Sequence, residues 1–177
     1  MAAMNLAVAL LRGINVGGRA ALKMVEVRAA FAAMGLAEVR TVLASGNVLF
    51  DAGGQAEKRL AKAIEEQLAA QFGWPIGVIV RPVAELEQLA ARNPFGRIAE
   101  SAETKLYVTF LGKPTGVDLK VPYRGKDNAF RIVKVGPREV CSVGSFAAAS
   151  PFLEKTFGTE ITTRNWNTVF KILAAAG

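Results

Sequence analysis

Arg12 closes an apolar run and opens the loop Arg12-Gly13-Ile14-Asn15-Val16-Gly17-Gly18. A guanidinium is always charged and presents a planar fork that fits phosphate or carboxylate. The glycines behind it allow backbone conformations closed to other residues, so successive N–H groups can converge on one ligand atom. Gly13 to Gly18 keeps the glycine spacing of a Walker A loop. That motif then requires a lysine and a hydroxyl for magnesium, and here Arg19 and Ala20 follow. The dinucleotide fingerprint, with its different glycine spacing, is not met either. What survives is an anion cradle rather than a nucleotide hydrolase.

Two further stretches carry polar groups at useful spacings. Ser45-Gly46-Asn47 has the composition of a tight turn. Ser45 could act as a nucleophile only with a lysine base, because the chain contains no histidine. Thr162-Thr163-Arg164-Asn165-Trp166-Asn167-Thr168 is read as the opening of a last helix. Arg164, Asn167, Thr168 and Lys171 then share a polar stripe opposite Trp166 and Leu173. Threonines and asparagines also cap helices, so part of this polarity has an ordinary explanation. Cys141, between Val140 and Val143 in an apolar run, is expected to be a packed thiol.

Composition narrows the chemistry. The missing histidine removes the usual neutral-pH base and the commonest metal ligand. A single cysteine permits neither an intrachain disulfide nor a thiolate zinc site. No metal and no cofactor is therefore expected. The formal charge of +7 favours acidic partners such as phosphates, nucleic acid or anionic head groups, although such an excess also serves solubility. Met1–Leu11 shows neither a basic start nor a cleavage site, and its apolar run is too short to span a bilayer. A cytoplasmic protein with no membrane association is the expectation.

The elements that would position these groups can be read from periodicity. Asn5–Leu11 is a buried strand. Met24, Val27, Phe31 and Met34 lie on one face of a helix that Gly35 can end. Val39–Ala44 and Val48–Phe50 are strands joined through Ser45-Gly46-Asn47. Leu60, Ile64, Leu68 and Phe72 define a second amphipathic helix stopped by Gly73, and Ile76–Val80 is a fourth strand. Strand, helix, strand, strand, helix, strand is the split βαβ, ferredoxin-like order. Both helices should cover one face of a four-stranded antiparallel sheet, with β-strand neighbours that bring Arg12 close to Asn47. A short helix through Val83, Leu86 and Leu89 must end before Asn93-Pro94.

Beyond it, Leu106–Leu111 is a strand, and Phe130–Val135 with Glu139–Val143 forms a hairpin across Gly136-Pro137. Ser150 is expected to cap a helix with Pro151 at its first position and Gly158 past its end. Residues 113–127 form a basic loop. The predicted fold is α+β: a ferredoxin-like half over residues 1–82 carrying the glycine loop, and a smaller α+β half over 83–177 packed against it. RNA reading by base stacking on the sheet would need exposed aromatics on the first and third strands, and only Phe50 is available.

The combination of Leu11-Arg12-Gly13-Ile14-Asn15-Val16-Gly17-Gly18, Lys23-Met24, Arg40-Thr41, Ser45-Gly46-Asn47-Val48 and Thr163-Arg164-Asn165-Trp166-Asn167-Thr168 resembles the bacterial domain of unknown function 1697 family. That resemblance implies an α+β fold with two ferredoxin-like halves. It also implies that Arg12, the glycine loop, Ser45-Gly46-Asn47 and Arg164-Asn165-Trp166-Asn167 belong together. The expected function is binding of an anionic ligand, a phosphorylated small molecule or a nucleic acid. Its expected contacts are Arg12, Gly13, Asn15, Gly17, Gly18, Lys23, Ser45, Asn47, Arg164, Asn165 and Asn167. The alternative is a small-molecule enzyme using Ser45 with Lys23 or Lys171 in the same pocket.

Overall fold

The structure, a computed structural model, describes residues 4–16 and 21–177. The chain divides into two units, Met1–Gln88 with Lys171–Gly177, and Leu89–Phe170. In the first unit β1 (Leu6–Leu11), α1 (Met24–Ala33), β2 (Ala37–Val42), β3 (Asn47–Asp51), α2 (Glu57–Phe72) and β4 (Val78–Pro82) follow one another. The four strands pair in the order β2-β3-β1-β4, every neighbour antiparallel. This is the ferredoxin-like half that the order of periodicities predicts.

Alternation along β1 explains why it lies at the centre. Ala7, Ala9 and Leu11 join a core with Val48 and Phe50 of β3, Val78 and Val80 of β4, Val27 and Phe31 of α1, and Leu60, Ile64 and Leu68 of α2. Both helices thus bury their apolar faces on one side of the sheet, with Phe31 and Phe50 edge to face at 5.8 Å. Val8, Leu10 and Leu49, with the opposite strand parity, are fully buried too. A strand buried on both faces reads as the continuous apolar run seen in the sequence. Gly73 ends α2 in the left-handed conformation, its N–H donating to Ala69 O.

Helix α3 (Val83–Arg92) carries the chain from the first unit into the second and stops before Asn93-Pro94. The second unit then contains β5 (Leu106–Leu111), β6 (Tyr123–Arg124), β7 (Phe130–Val135), β8 (Glu139–Gly144), α4 (Phe146–Phe157) and β9 (Ile161–Asn165). These five strands pair antiparallel in the order β6-β7-β8-β5-β9. Without β6, the order matches that of the first sheet, and α4 connects its last two strands in sequence as α2 does. Where the first unit has α1, the second has the basic loop and the two-residue β6. Leu111, Phe130, Ile132, Val140, Ala149 and Leu153 form its core under α4. Helix α5 (Trp166–Ala176) begins in this unit and finishes in the first. The whole is α+β, built on two antiparallel sheets.

Two expectations are corrected here. Helix α4 starts earlier than the Ser150-Pro151 signal suggests: Ser145 is its cap, with Oγ accepting from Ala148 N at 3.2 Å, and Pro151 lies inside the helix. Thr162–Asn165 is not helical. It belongs to β9, where Tyr107, Val108, Thr109 and Phe110 of β5 oppose Asn165, Arg164, Thr163 and Thr162. Arg164 therefore shares no helical stripe with Asn167, Thr168 and Lys171. Among the described residues, no helix is long and apolar enough to cross a membrane.

Candidate functional site

At its end, β1 is tied to both of its neighbours. Leu11 N–H donates to Gly46 O, and Arg12 N–H donates to Gly77 O, each at 2.8 Å. Antiparallel pairing sets Leu10 opposite Asn47 and Leu11 opposite Val78. The Arg12 loop and the Ser45-Gly46-Asn47 turn are thus brought side by side at one end of the sheet.

Ile14 fastens them together. It is buried over Gly46, where a Cβ would come within 2.6 Å of Ile14 Cδ1 and 2.9 Å of Leu11 Cβ. Gly46 also has φ +87°, so both space and backbone call for glycine. Asn15 adds a second tie. Its Nδ2 donates to Ala44 O at 2.7 Å and to Leu22 O at 3.3 Å, while its Oδ1 accepts from Leu22 N at 2.7 Å. Both donors and the oxygen of that amide are engaged, which ties Asn15 to Ala44 and Leu22. Asn47, fully buried, does the same for the turn: its Nδ2 donates to Val42 O at 2.8 Å and to Ser45 Oγ at 3.0 Å.

Arg12 stands on this frame. Its half-buried side chain lies across the bare backbone of Gly77, where a Cβ would meet Nη1 at 2.9 Å and Cδ at 3.0 Å. Lys23 occupies the cap position of α1 in extended conformation, and its exposed side chain makes no capping bond. Its carbonyl accepts from Glu26 N and Val27 N. Gly13 bends the loop with φ +63°. Gly17 and Gly18 lie outside the described residues. Gly77 is the residue that sequence reasoning missed; a lone glycine ahead of a strand carries no distinguishing signal.

Arg164, Asn165 and Asn167 belong to the second unit. The Arg164 side chain is buried, and Nη1 donates to Thr162 Oγ1 at 2.8 Å and to Thr163 O at 3.0 Å. Burial pulls its pKa down to about 10, which still leaves it charged at neutral pH. Asn165 Oδ1 accepts from Asn167 N at 2.9 Å, starting α5, while its Nδ2 donates to Glu100 Oε1 at 2.9 Å. The run Ile161-Thr162-Thr163 is the signal that could have marked this stretch as a strand.

Chemically, the residues here offer a half-buried guanidinium (Arg12), an exposed ammonium (Lys23) and an exposed hydroxyl (Ser45). Ser45 Oγ accepts from an amide, a group that cannot take up a proton. Cys141 is fully buried, and burial pushes its thiol up to about 12, with Glu139 adding to the push and Lys134 and Arg92 opposing it. Among the described residues no group of three acidic, cysteine or histidine side chains could hold a metal ion.

A two-unit α+β protein with paired antiparallel sheets defines the class. The chain belongs to the family described as "Protein of unknown function (DUF1697)", whose model matches residues 4–140. Among solved structures, the chain is similar to the conserved bacterial protein SP0830 from Streptococcus pneumoniae, with TM-score 0.69 and 20% identity over 99% of this chain and 100% of that one. At that identity the likeness concerns the fold. No curated protein matches the chain.

Proposed function

We propose that the protein binds a phosphorylated small molecule at the end of the first sheet, with Arg12 as its principal contact and Lys23 as a second cation. The observation that carries this reading is the Arg12 side chain laid over Gly77, beside Ile14 packed on Gly46 and Asn15 bonded to Ala44 O. A guanidinium whose stem is already packed against backbone loses less conformational freedom when it meets a phosphate. The reading as an enzyme built on Ser45 and a lysine is weaker, because the hydroxyl is engaged with the Asn47 amide rather than with a base.

Pyrophosphate titrated calorimetrically into the full chain tests the proposal. A charge-assisted hydrogen bond contributes about 1.5–3 kcal/mol, so Arg12→Ala should weaken binding roughly ten- to a hundredfold. Affinity unchanged in Arg12→Ala, with the variant still folded, would dismiss the site. Turnover of a bound ligand that vanishes in Ser45→Ala while binding persists would instead favour the enzyme.

A further inference from the structure

The second unit holds a cavity of about 570 Å³ that the first-unit site does not involve. It opens where β5 begins, β8 ends and α4 starts, and its lining includes Lys105, Tyr107, Asn128, Arg131, Phe146 and one acid, Glu103. That volume suits a small ligand.

Charge at this place is unbalanced. Arg131 of β7 lies directly opposite Arg124 of β6 in the antiparallel register. Directly opposed residues project to the same face with Cβ atoms close together, and like charges there repel. Neither guanidinium has an ion pair or hydrogen bond among the described residues. Arg131 is nonetheless half-buried. Lys105 adds a third cation, with only a loose pairing to Glu100 at 4.0 Å. Arg124 is exposed and lies outside the lining, so the half-buried Arg131 is the guanidinium that an anion in the cavity would relieve.

The same cavity carries an aromatic wall. Tyr107 and Phe146 have ring centroids 5.6 Å apart, tilted by 42°. Phe146 is 41% exposed, which leaves ring surface open to a ligand. Rings and cations that line one cavity fit a molecule that is planar at one end and anionic at the other.

We infer that this cavity is a binding site for a nucleoside monophosphate, its phosphate held by Arg131 and Lys105 and its base laid against Phe146 and Tyr107. The inference is independent of the Arg12 site, since no residue is shared. Amide shifts of the labelled full chain, followed during titration with adenosine monophosphate, adenosine and inorganic phosphate, test it. Adenosine monophosphate should move the resonances of Asn128, Arg131, Phe146 and Ala147. Arg131→Gln should weaken it at least tenfold while leaving adenosine's weaker binding in place. Phe146→Ala should weaken the nucleotide and adenosine together, without changing phosphate. Thermal melts confirm that each variant is folded, and Lys105→Gln replaces Arg131→Gln if the latter is not. Shifts confined to Arg12–Lys23, no shifts at millimolar nucleotide, or binding indifferent to all three substitutions would each overturn the assignment.

Discussion

Arg12 owes its position to the absence of a side chain at Gly77, and this separates binding from stability at the residue scale. A Cβ at position 77 meets the far end of a flexible side chain, 2.9 Å from Nη1, rather than backbone. Gly77→Ala should therefore swing the guanidinium away and weaken pyrophosphate binding by roughly the factor expected for Arg12→Ala, while the melting temperature stays near that of the parent. Unaltered binding in Gly77→Ala would show that Arg12 needs no such seat. Cys141 offers a prediction of a different kind. Burial raises its thiol from 9.0 to about 12, so the folded state keeps a proton that the unfolded chain releases above pH 9. The stability this supplies is whole below pH 9 and declines as pH rises toward 12. Urea midpoints of the parent and of Cys141→Ala should therefore converge over that window; parallel curves would contradict the shift. The glycine loop and the Ser45 turn are legible in sequence because Gly and Asn announce unusual backbone. That Asn15 and Asn47 brace the backbone is not legible, since an amide's partners depend on which strands become neighbours.

Caps and periods decide what is readable at the scale of elements. Ser145 accepts from Ala148 N, whereas Ser150 lies within α4. Ser145→Ala should cost about 1 kcal/mol, the usual loss for a cap, and Ser150→Ala should change little. Equal losses in chemical denaturation would mean that the cap is not at Ser145. The Ser-Pro pair at 150–151 imitates a helix start well enough to draw the boundary too late. In the first unit, α1 and α2 each show apolar residues at spacings of three and four and a glycine at the end, and both are read correctly. Strand β9 is harder. Its buried positions, Thr162 and Arg164, are polar, so the alternation that marks a half-buried strand is hidden from a hydrophobic pattern. Apart from the β-branched run Ile161-Thr162-Thr163, it is pairing to β5, including the Thr109–Thr163 hydroxyl contact at 2.8 Å, that reveals it. The same long-range pairing sets Arg124 against Arg131, which no local pattern could indicate.

The formal charge of +7 belongs to the whole molecule, and how it responds to salt distinguishes its uses. Base stacking on the first sheet is not open to this chain, since Phe50 is fully buried against Phe31. The cations described above instead cluster around compact places, Arg12 with its loop and Arg131 with its cavity. A ligand that occupies such a place neutralises one or two charges. A strand of nucleic acid laid along a basic surface neutralises many, and each neutralised phosphate releases a counterion. A protein making six to ten phosphate contacts loses about 10³–10⁵ in affinity between about 50 and 200 mM salt. For pyrophosphate or adenosine monophosphate the loss over that interval should stay below about tenfold. Calorimetric titrations at both ionic strengths, run beside fluorescence anisotropy with a labelled single-stranded oligonucleotide, make the comparison. An oligonucleotide bound more tightly than either small ligand, with the steep salt dependence, would overturn the proposed small-ligand sites in favour of an extended nucleic-acid surface.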